Sequence, residues 1–165
     1  MKNLRNVLVS YSNRVTKLAK INVGAYRRVN GKNRRIDSSG ALRKSISSDV
    51  KTAKDGFTVN FYSTPYGIYV DQGRKPGKGV PVDALVRWIK TKPVRARNLK
   101  TGSFVQMTDL KLKSMSFLIN RKIKTYGIPA TNFYTEPFEA ELIKYEKHFL
   151  TAMGQDIDEQ IDKII

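Results

Sequence analysis

Residues 46–62 read Ile46-Ser47-Ser48-Asp49-Val50-Lys51-Thr52-Ala53-Lys54-Asp55-Gly56-Phe57-Thr58-Val59-Asn60-Phe61-Tyr62, and their alternation decides the fold class. Ile46, Ser48, Val50 and Thr52 fall on one face of a first strand. Phe57, Val59 and Phe61 share one face of a second, with Thr58, Asn60 and Tyr62 on the other, because successive side chains in a strand point to opposite sides. The link Ala53-Lys54-Asp55-Gly56 carries an Asp-Gly turn between them. Two strands alone are marginal in water, so this hairpin has to pack against helices and further strands.

The flanking sequence offers both. Upstream, Leu4, Val7, Leu8, Tyr11, Val15 and Leu18 recur at helical spacing and predict an amphipathic helix over 2–20. Asn30-Gly31 between Tyr26–Val29 and Lys32–Ile36 predicts a second hairpin, since both turn positions need positive φ. That hairpin is a basic arm carrying Arg27, Arg28, Lys32, Arg34 and Arg35. Ser38-Ser39-Gly40 breaks the chain before a short helical turn over 41–44. Downstream, 66–71 reads as a short helical or extended segment ending at Gln72-Gly73, and 74–79 as a Gly/Pro/Lys loop. Pro81 starts a helix through about Thr91 with Val82, Leu85, Val86 and Ile89 inward and Trp88 at its edge. Val94–Arg97 against Ser103–Gln106, around Lys100-Thr101-Gly102, predicts a third hairpin, also basic.

Thr108 is placed to cap a helix through Lys124 with Leu112, Met115, Leu118, Ile119 and Ile123 inward, ended by Gly127-Ile128-Pro129. Asn132-Phe133-Tyr134 reads as a third strand of the sheet, and Thr135 as the cap of a long last helix. Phe138, Leu142, Tyr145, Phe149, Met153, Ile157, Ile161 and Ile164 form its apolar stripe, and Gly154 is its candidate break. Unbroken, it is roughly 43 Å long. The expected class is α+β: a small antiparallel sheet packed against helices, with long N- and C-terminal helices and two basic hairpin arms. One domain over 1–165 is expected, with a basic body, 1–135, and an acidic C-terminal helix, 136–165.

A length of 165 residues suits one core, and 40% hydrophobic with 27% charged residues suits a globular protein. Cysteine is absent and His148 is the sole histidine, which excludes disulfides, thiol nucleophiles and a multi-histidine metal centre within one subunit. Apolar runs are only a few residues long, and the N-terminus lacks the apolar core of a signal peptide, so no membrane partner is expected. The net charge of +17 requires a partner: nucleic acid, an acidic protein surface or an acidic assembly. Residues 136–165 hold eight acids and three bases, net −5, while 1–135 carry +22 and the first 36 residues hold no acid. Two readings fit this split: a solvated surface whose ends differ, and head-to-tail self-association of acidic on basic parts.

No motif reads as a catalytic, cofactor or metal site. Gly73-Arg74-Lys75-Pro76-Gly77-Lys78-Gly79 lacks the spacing of a phosphate-binding loop and has Gly79 where a magnesium-binding hydroxyl is needed. Gly67-Ile68-Tyr69 is half of a nuclease signature whose other half is missing. Asp49-Val50-Lys51 has no nearby acid to complete a metal site, and His148 reads as a helix-surface residue. The basic hairpins interleave Lys and Arg with Tyr and Phe, a chemistry that binds phosphates and stacks bases. The competing reading is an arm that lies on another protein or in solvent.

The order of segments carries a resemblance. Ser39-Gly40-Ala41-Leu42-Arg43-Lys44-Ser45-Ile46 leads into a hairpin; Tyr66-Gly67-Ile68-Tyr69-Val70-Asp71-Gln72-Gly73 follows; then a helix with Trp88-Ile89, a late helix, and Gly127-Ile128-Pro129-Ala130 with an aromatic before the last helix. Over 39–149 this resembles the phage tail-component family of lambdoid-type tail-completion and head–tail joining neck proteins. Asp71 stands at the family's usual glutamate and Gly67 at its usual alanine. The segments 25–36 and 92–106 stand outside the pattern as additions.

The resemblance implies a virion protein without enzymatic activity or cofactor. Its place is the neck or tail of the particle, and the host cytoplasm during assembly. It forms a ring of itself, six subunits in the family pattern, and contacts portal-side and tail-tube proteins, with transient contact to genomic DNA. Gly40 turns the chain into the sheet, Leu42 buries against the hairpin and Gly73 ends its segment with positive φ. Asp71 is expected to pair with Arg43 or Arg74, or to cross to a neighbouring subunit. The interface candidates are Arg27, Arg28, Lys32, Arg34 and Arg35 in the first arm, Asp71 and Arg74, and Arg95, Arg97 and Lys100 in the second. Two alternatives stand beside this: a basic nucleic-acid-binding protein, and a small basic ribonuclease of the ribosome-dependent toxin type, disfavoured by the chain length and the late long helix.

Overall fold

The computed structural model describes residues 1–29, 32–37, 39–91, 96–98 and 100–164, with 26–29 and 32–35 described by their backbone. In chain order the elements are α1 (Lys2–Gly24), β1 (Tyr26–Val29), β2 (Lys32–Arg35), α2 (Ala41–Ser45), β3 (Ser47–Ala53), β4 (Gly56–Tyr62), α3 (Gly67–Asp71), α4 (Val82–Thr91), β5 (Ala96–Arg97), β6 (Phe104–Val105), α5 (Asp109–Tyr126) and α6 (Thr135–Ile161). The class is α+β, and more than half of the chain is helical, so helices carry most of the core. Among the described residues the strands form three separate antiparallel two-stranded sheets, β1–β2, β3–β4 and β5–β6. The chain groups into two compact units: residues 1–72 with 131–165, and residues 73–130.

In the first unit α1 and α6 run antiparallel. Tyr11 Oη donates to the Phe138 carbonyl at 3.3 Å, Asn22 Nδ2 donates to the Phe133 carbonyl at 3.1 Å, and the start of α1 meets Asp156 near the far end of α6. The buried residues of α1 are Tyr11, Ser12, Val15, Thr16, Ala19 and Val23, a stripe stepping by four that extends the helix one turn beyond the predicted end. Ala19, Val23, Leu42, Ile46 and Phe133 form the apolar core cluster, so Leu42 packs into the helical core at the base of the hairpin. An aromatic layer adjoins it. Tyr11 meets Phe61, Phe138, Tyr145 and Phe149 edge-on, with centroids 5.6 to 6.3 Å apart. Edge-to-face contacts of this kind add about 0.5–1.5 kcal/mol each beyond the area they bury. They fasten β4 to the helices through Phe61.

The β3–β4 register runs from Ser47↔Tyr62 to Ala53↔Gly56, leaving Lys54-Asp55 as the two-residue loop. No further strand joins it among the described residues. The expected third strand, 132–134, is a turn: Asn132 adopts the left-handed region at φ 49, which ends any extended run, and Tyr134 is already in the helical region as the N-cap of α6. Phe133, between them, is 1% exposed. Helices therefore cover the hairpin in place of strands.

Two helix starts are capped from a distance. Thr135 opens α6 without capping it; Asp71 at the end of α3 accepts from Tyr134 N at 2.7 Å, from Thr135 N at 3.2 Å and from Thr135 Oγ1. Similarly, α1 begins with no capping side chain of its own, and Asp156 of α6 accepts from Asn3 N at 2.9 Å and Leu4 N at 2.8 Å. A carboxylate at a helix N-terminus satisfies orphan N–H groups and meets the positive end of the dipole. Consequently α6 buries Pro137, Glu141, Ala152 and Asp156, while Leu142, Met153, Ile157, Ile161 and Ile164 of the predicted stripe are exposed. The helix continues through Gly154 without a break.

The second unit contains α4, α5 and the β5–β6 ribbon. Leu85, Ile89 and Leu112 are buried, Val82 and Leu118 are exposed against expectation, and Ser116 is fully buried with its hydroxyl returned to the Leu112 carbonyl at 2.8 Å. Thr108 caps α5 as predicted, its Oγ1 accepting from Lys111 N at 3.4 Å. The two ends of the unit meet through an antiparallel bridge in which Arg74 N donates to the Ile128 carbonyl and Ile128 N to the Arg74 carbonyl, both at 2.8 Å. This closure requires glycine on both sides. Gly73 has φ +76 and a Cβ there would lie 2.5 Å from the Ile128 carbonyl oxygen; Gly127 has φ +70 and a Cβ there would collide with the Arg74 carbonyl oxygen.

Candidate functional site

The first arm forms as a ribbon with Tyr26↔Arg35, Arg27↔Arg34, Arg28↔Asn33 and Val29↔Lys32 in register. Five of its eight strand positions are Lys or Arg: Arg27, Arg28, Lys32, Arg34 and Arg35. The register sets Arg27 opposite Arg34, and no acid occurs before Asp37. Such a concentration of like charge is unfavourable in isolation and is relieved by an anionic surface. The turn Asn30-Gly31 lies outside the described residues.

The second arm is shorter and better defined. Ala96 pairs with Val105 and Arg97 with Phe104. Beyond the pair, Asn98 N donates to the Ser103 carbonyl at 2.9 Å, Gly102 N to the Asn98 carbonyl at 2.8 Å, and Lys100 N to Asn98 Oδ1 at 2.9 Å. The Arg97 guanidinium sits 4.6 Å from the centroid of the exposed Phe104 ring, a cation–π contact that presents a cation and an aromatic face together. Lys100 is exposed in the turn, and Arg95 lies outside the described residues.

The remaining two candidates belong to the fold. Asp71 is 6% exposed, and its carboxylate is taken up by the start of α6 in place of the expected pairing with Arg43 or Arg74. Arg74 is half-buried, its backbone engaged by Ile128 and its guanidinium donating to the Gly79 carbonyl at 3.4 Å. Asp49 is also occupied locally, by Lys51 Nζ at 3.7 Å and by the Tyr62 hydroxyl at 3.3 Å. His148 is exposed on α6 with its ring 5.7 Å from that of Tyr145. Among the described residues no group of three His, Cys, Asp or Glu side chains is placed to hold a metal, and no helix is long and apolar enough to cross a membrane.

Charge follows the two units. Residues 73–130 hold 14 bases and two acids, net +12, whereas the first unit holds 17 bases and 12 acids, net +5. The densest positive field therefore belongs to the 58-residue second unit. Sequence reasoning missed the two buried carboxylates of α6. Asp156 is held below the usual carboxylate range: burial pushes it up, but the N–H groups of Leu4 and Asn3, the amino terminus and the Lys2 N–H together pull it further down. Glu141 is 3% exposed and pairs with Lys144 at 2.7 Å and Arg14 at 3.7 Å. Their signal was present as acids inside the helical apolar period of α6.

No family model, curated protein or solved structure matches the chain.

Proposed function

We propose that this chain is a structural protein of a tailed-phage virion, a neck or tail-completion subunit that forms a ring joining head and tail. The observation that carries the reading is that, among the described residues, the strands form three separate two-stranded ribbons, each strand keeping one edge unpaired by its own sheet, with two ribbons also serving as basic arms. Open strand edges are templates for pairing with another chain, and a stable monomer gains nothing by keeping several. The ordered segments over 39–149 support the same role, since Gly40, Leu42, Asp71 and Gly73 sit where a compact body needs a turn, a core residue, a helix cap and a closure. The body then serves as the ring, the arms reach portal-side and tube-side neighbours, and the role asks for no catalysis and no cofactor. Mass spectrometry of purified virions tests it: the chain is expected at a stoichiometry of several copies per particle, and its absence from washed virions overturns the reading.

A second reading rests on the +12 of residues 73–130 and the exposed Arg97–Phe104 pair, which together suit a nucleic-acid backbone. It predicts DNA binding that weakens steeply with salt. Absence of binding, or affinity indifferent to salt, removes it.

A further inference from the structure

The outer faces of α5 and α6 carry matching ridges of opposite charge. On α5, Leu110 and Phe117 are 78% and 61% exposed and stand seven residues apart, with exposed Arg121 four residues further on. On α6, read in the opposite direction, Ile157 and Leu150 are 47% and 64% exposed, again seven apart, with exposed Glu146 four further on. At 1.5 Å per residue, seven residues are about 10.5 Å on both helices, so the knobs of one ridge fall at the spacing of the other. Ile143 and Glu139 continue the α6 ridge, and Lys124 continues that of α5. The helix backgrounds are opposite as well: α5 has five bases and one acid, whereas the exposed residues of 136–164 hold six acids and three bases, Glu141 and Asp156 being buried.

We propose that the outer face of α6 in one copy docks antiparallel on the outer face of α5 in the next, Ile157 on Leu110, Leu150 on Phe117 and Glu146 against Arg121. The occupant is a second copy of this chain because each face lacks a compatible twin. Two α5 faces meet as like positive surfaces and two α6 faces as like negative ones, and like-charge juxtaposition disfavours both pairings. Pairing unlike faces is heterologous, the arrangement that generates rings when the rotation closes. The proposal deepens the ring reading and rests on it: it says which helices make the subunit contact.

Charge exchange tests the contact without disturbing the core, since both residues are exposed. R121E and E146R are each expected to weaken self-association at least about tenfold, read by sedimentation velocity and native mass spectrometry, because each sets like charges face to face. The double variant R121E/E146R restores complementarity between copies and is expected to recover assembly to within about threefold of the unaltered chain. Leu150→Gln lowers association in both charge backgrounds while leaving the helical circular dichroism unchanged. An unaltered chain that assembles, with all variants assembling equally, overturns the contact and leaves the ring reading standing. A double variant no better than the worse single one also overturns the contact. An unaltered chain that stays monomeric at every concentration reached overturns the contact and self-assembly of the ring from this chain alone.

Discussion

Replacing Asp71 by alanine removes the acceptor for three donors at the start of α6: Tyr134 N, Thr135 N and Thr135 Oγ1. Loss of an N-cap costs about 1 kcal/mol on its own. Here the cap is 6% exposed, so donors left behind are partly sealed from water, which adds roughly 1–3 kcal/mol. The expected destabilisation is therefore about 2–4 kcal/mol, equivalent to a fall in melting temperature of roughly 5–15 °C for a chain of this size. Asp71→Asn keeps an acceptor oxygen and forfeits the charge at the helix end, so it should cost about 1 kcal/mol. Urea denaturation followed by circular dichroism at 222 nm reads the effect, because α1 and α6 are the longest helices and both belong to the unit that Asp71 ties together. Trp88, the only tryptophan, lies in the other unit, and its fluorescence reports on that unit. A loss below about 0.5 kcal/mol for the alanine variant, or an asparagine variant equally damaging, refutes the capping argument.

Three further outcomes follow from the same structure. Asp156 is held below its ordinary value of 3.8, so the stability it contributes is fully present above that value and is lost as pH falls through the lowered native value; the difference in melting temperature between the unaltered chain and Asp156→Asn should shrink as pH drops below 3.8, and a difference constant from neutral pH to pH 2 contradicts this. Tyr134 Oη is buried with no hydrogen-bond partner among the described residues, and burial pushes its ionisation well above 10, so Tyr134→Phe should be neutral or stabilising by up to about 1 kcal/mol in urea melts; a clear loss of stability means the hydroxyl is satisfied in solution. Gly127→Ala forces a side chain into the left-handed region and into the Arg74 carbonyl, so it should open the closure of residues 73–130 and shift the Trp88 emission while the 222 nm signal of the long helices is largely kept, whereas unchanged fluorescence and stability show that the bridge is dispensable.

Much of the fold was legible because it rests on local signals. The alternation of Ile46–Tyr62, the Asn-Gly turn signal, Pro81 before α4 and Thr108 before α5 each specify structure within a few residues, and the elements formed there. What the sequence did not disclose depends on residues distant in the chain. The cap of α6 comes from Asp71, 63 positions before Tyr134, and that of α1 from Asp156, 153 positions after Asn3. No local rule connects such pairs. The aromatic run at 132–134 has strand propensity, but the left-handed Asn132 and the burial of Phe133 under α1 and α2 outweigh it. On α6 the spacing predicts one apolar stripe, whereas the apolar residues divide between two faces. Glu141 and Asp156 lie on the face that meets α1, and part of the apolar set faces outward.

The candidate site divides along the same line. The arms were visible as turn signals flanked by Lys and Arg, and their ribbons are present at Tyr26–Val29 with Lys32–Arg35 and at Ala96–Arg97 with Phe104–Val105. Asp71 and Arg74 stand among the interface candidates that the resemblance implies, but in the fold Asp71 accepts from the Tyr134 and Thr135 N–H groups and the Thr135 hydroxyl, and Arg74 engages the backbone of Ile128 and Gly79. Charged residues beside turn glycines serve as caps and closures as readily as contacts, and burial distinguishes the two.

The central claim, a subunit that joins head to tail, is tested most directly by electron microscopy of particles from a phage deleted for this gene, with and without the gene supplied in trans. Filled heads accumulating beside separate tails, with joined particles restored by the unaltered gene, is the predicted result. Intact, infectious particles in the absence of the gene contradict the account.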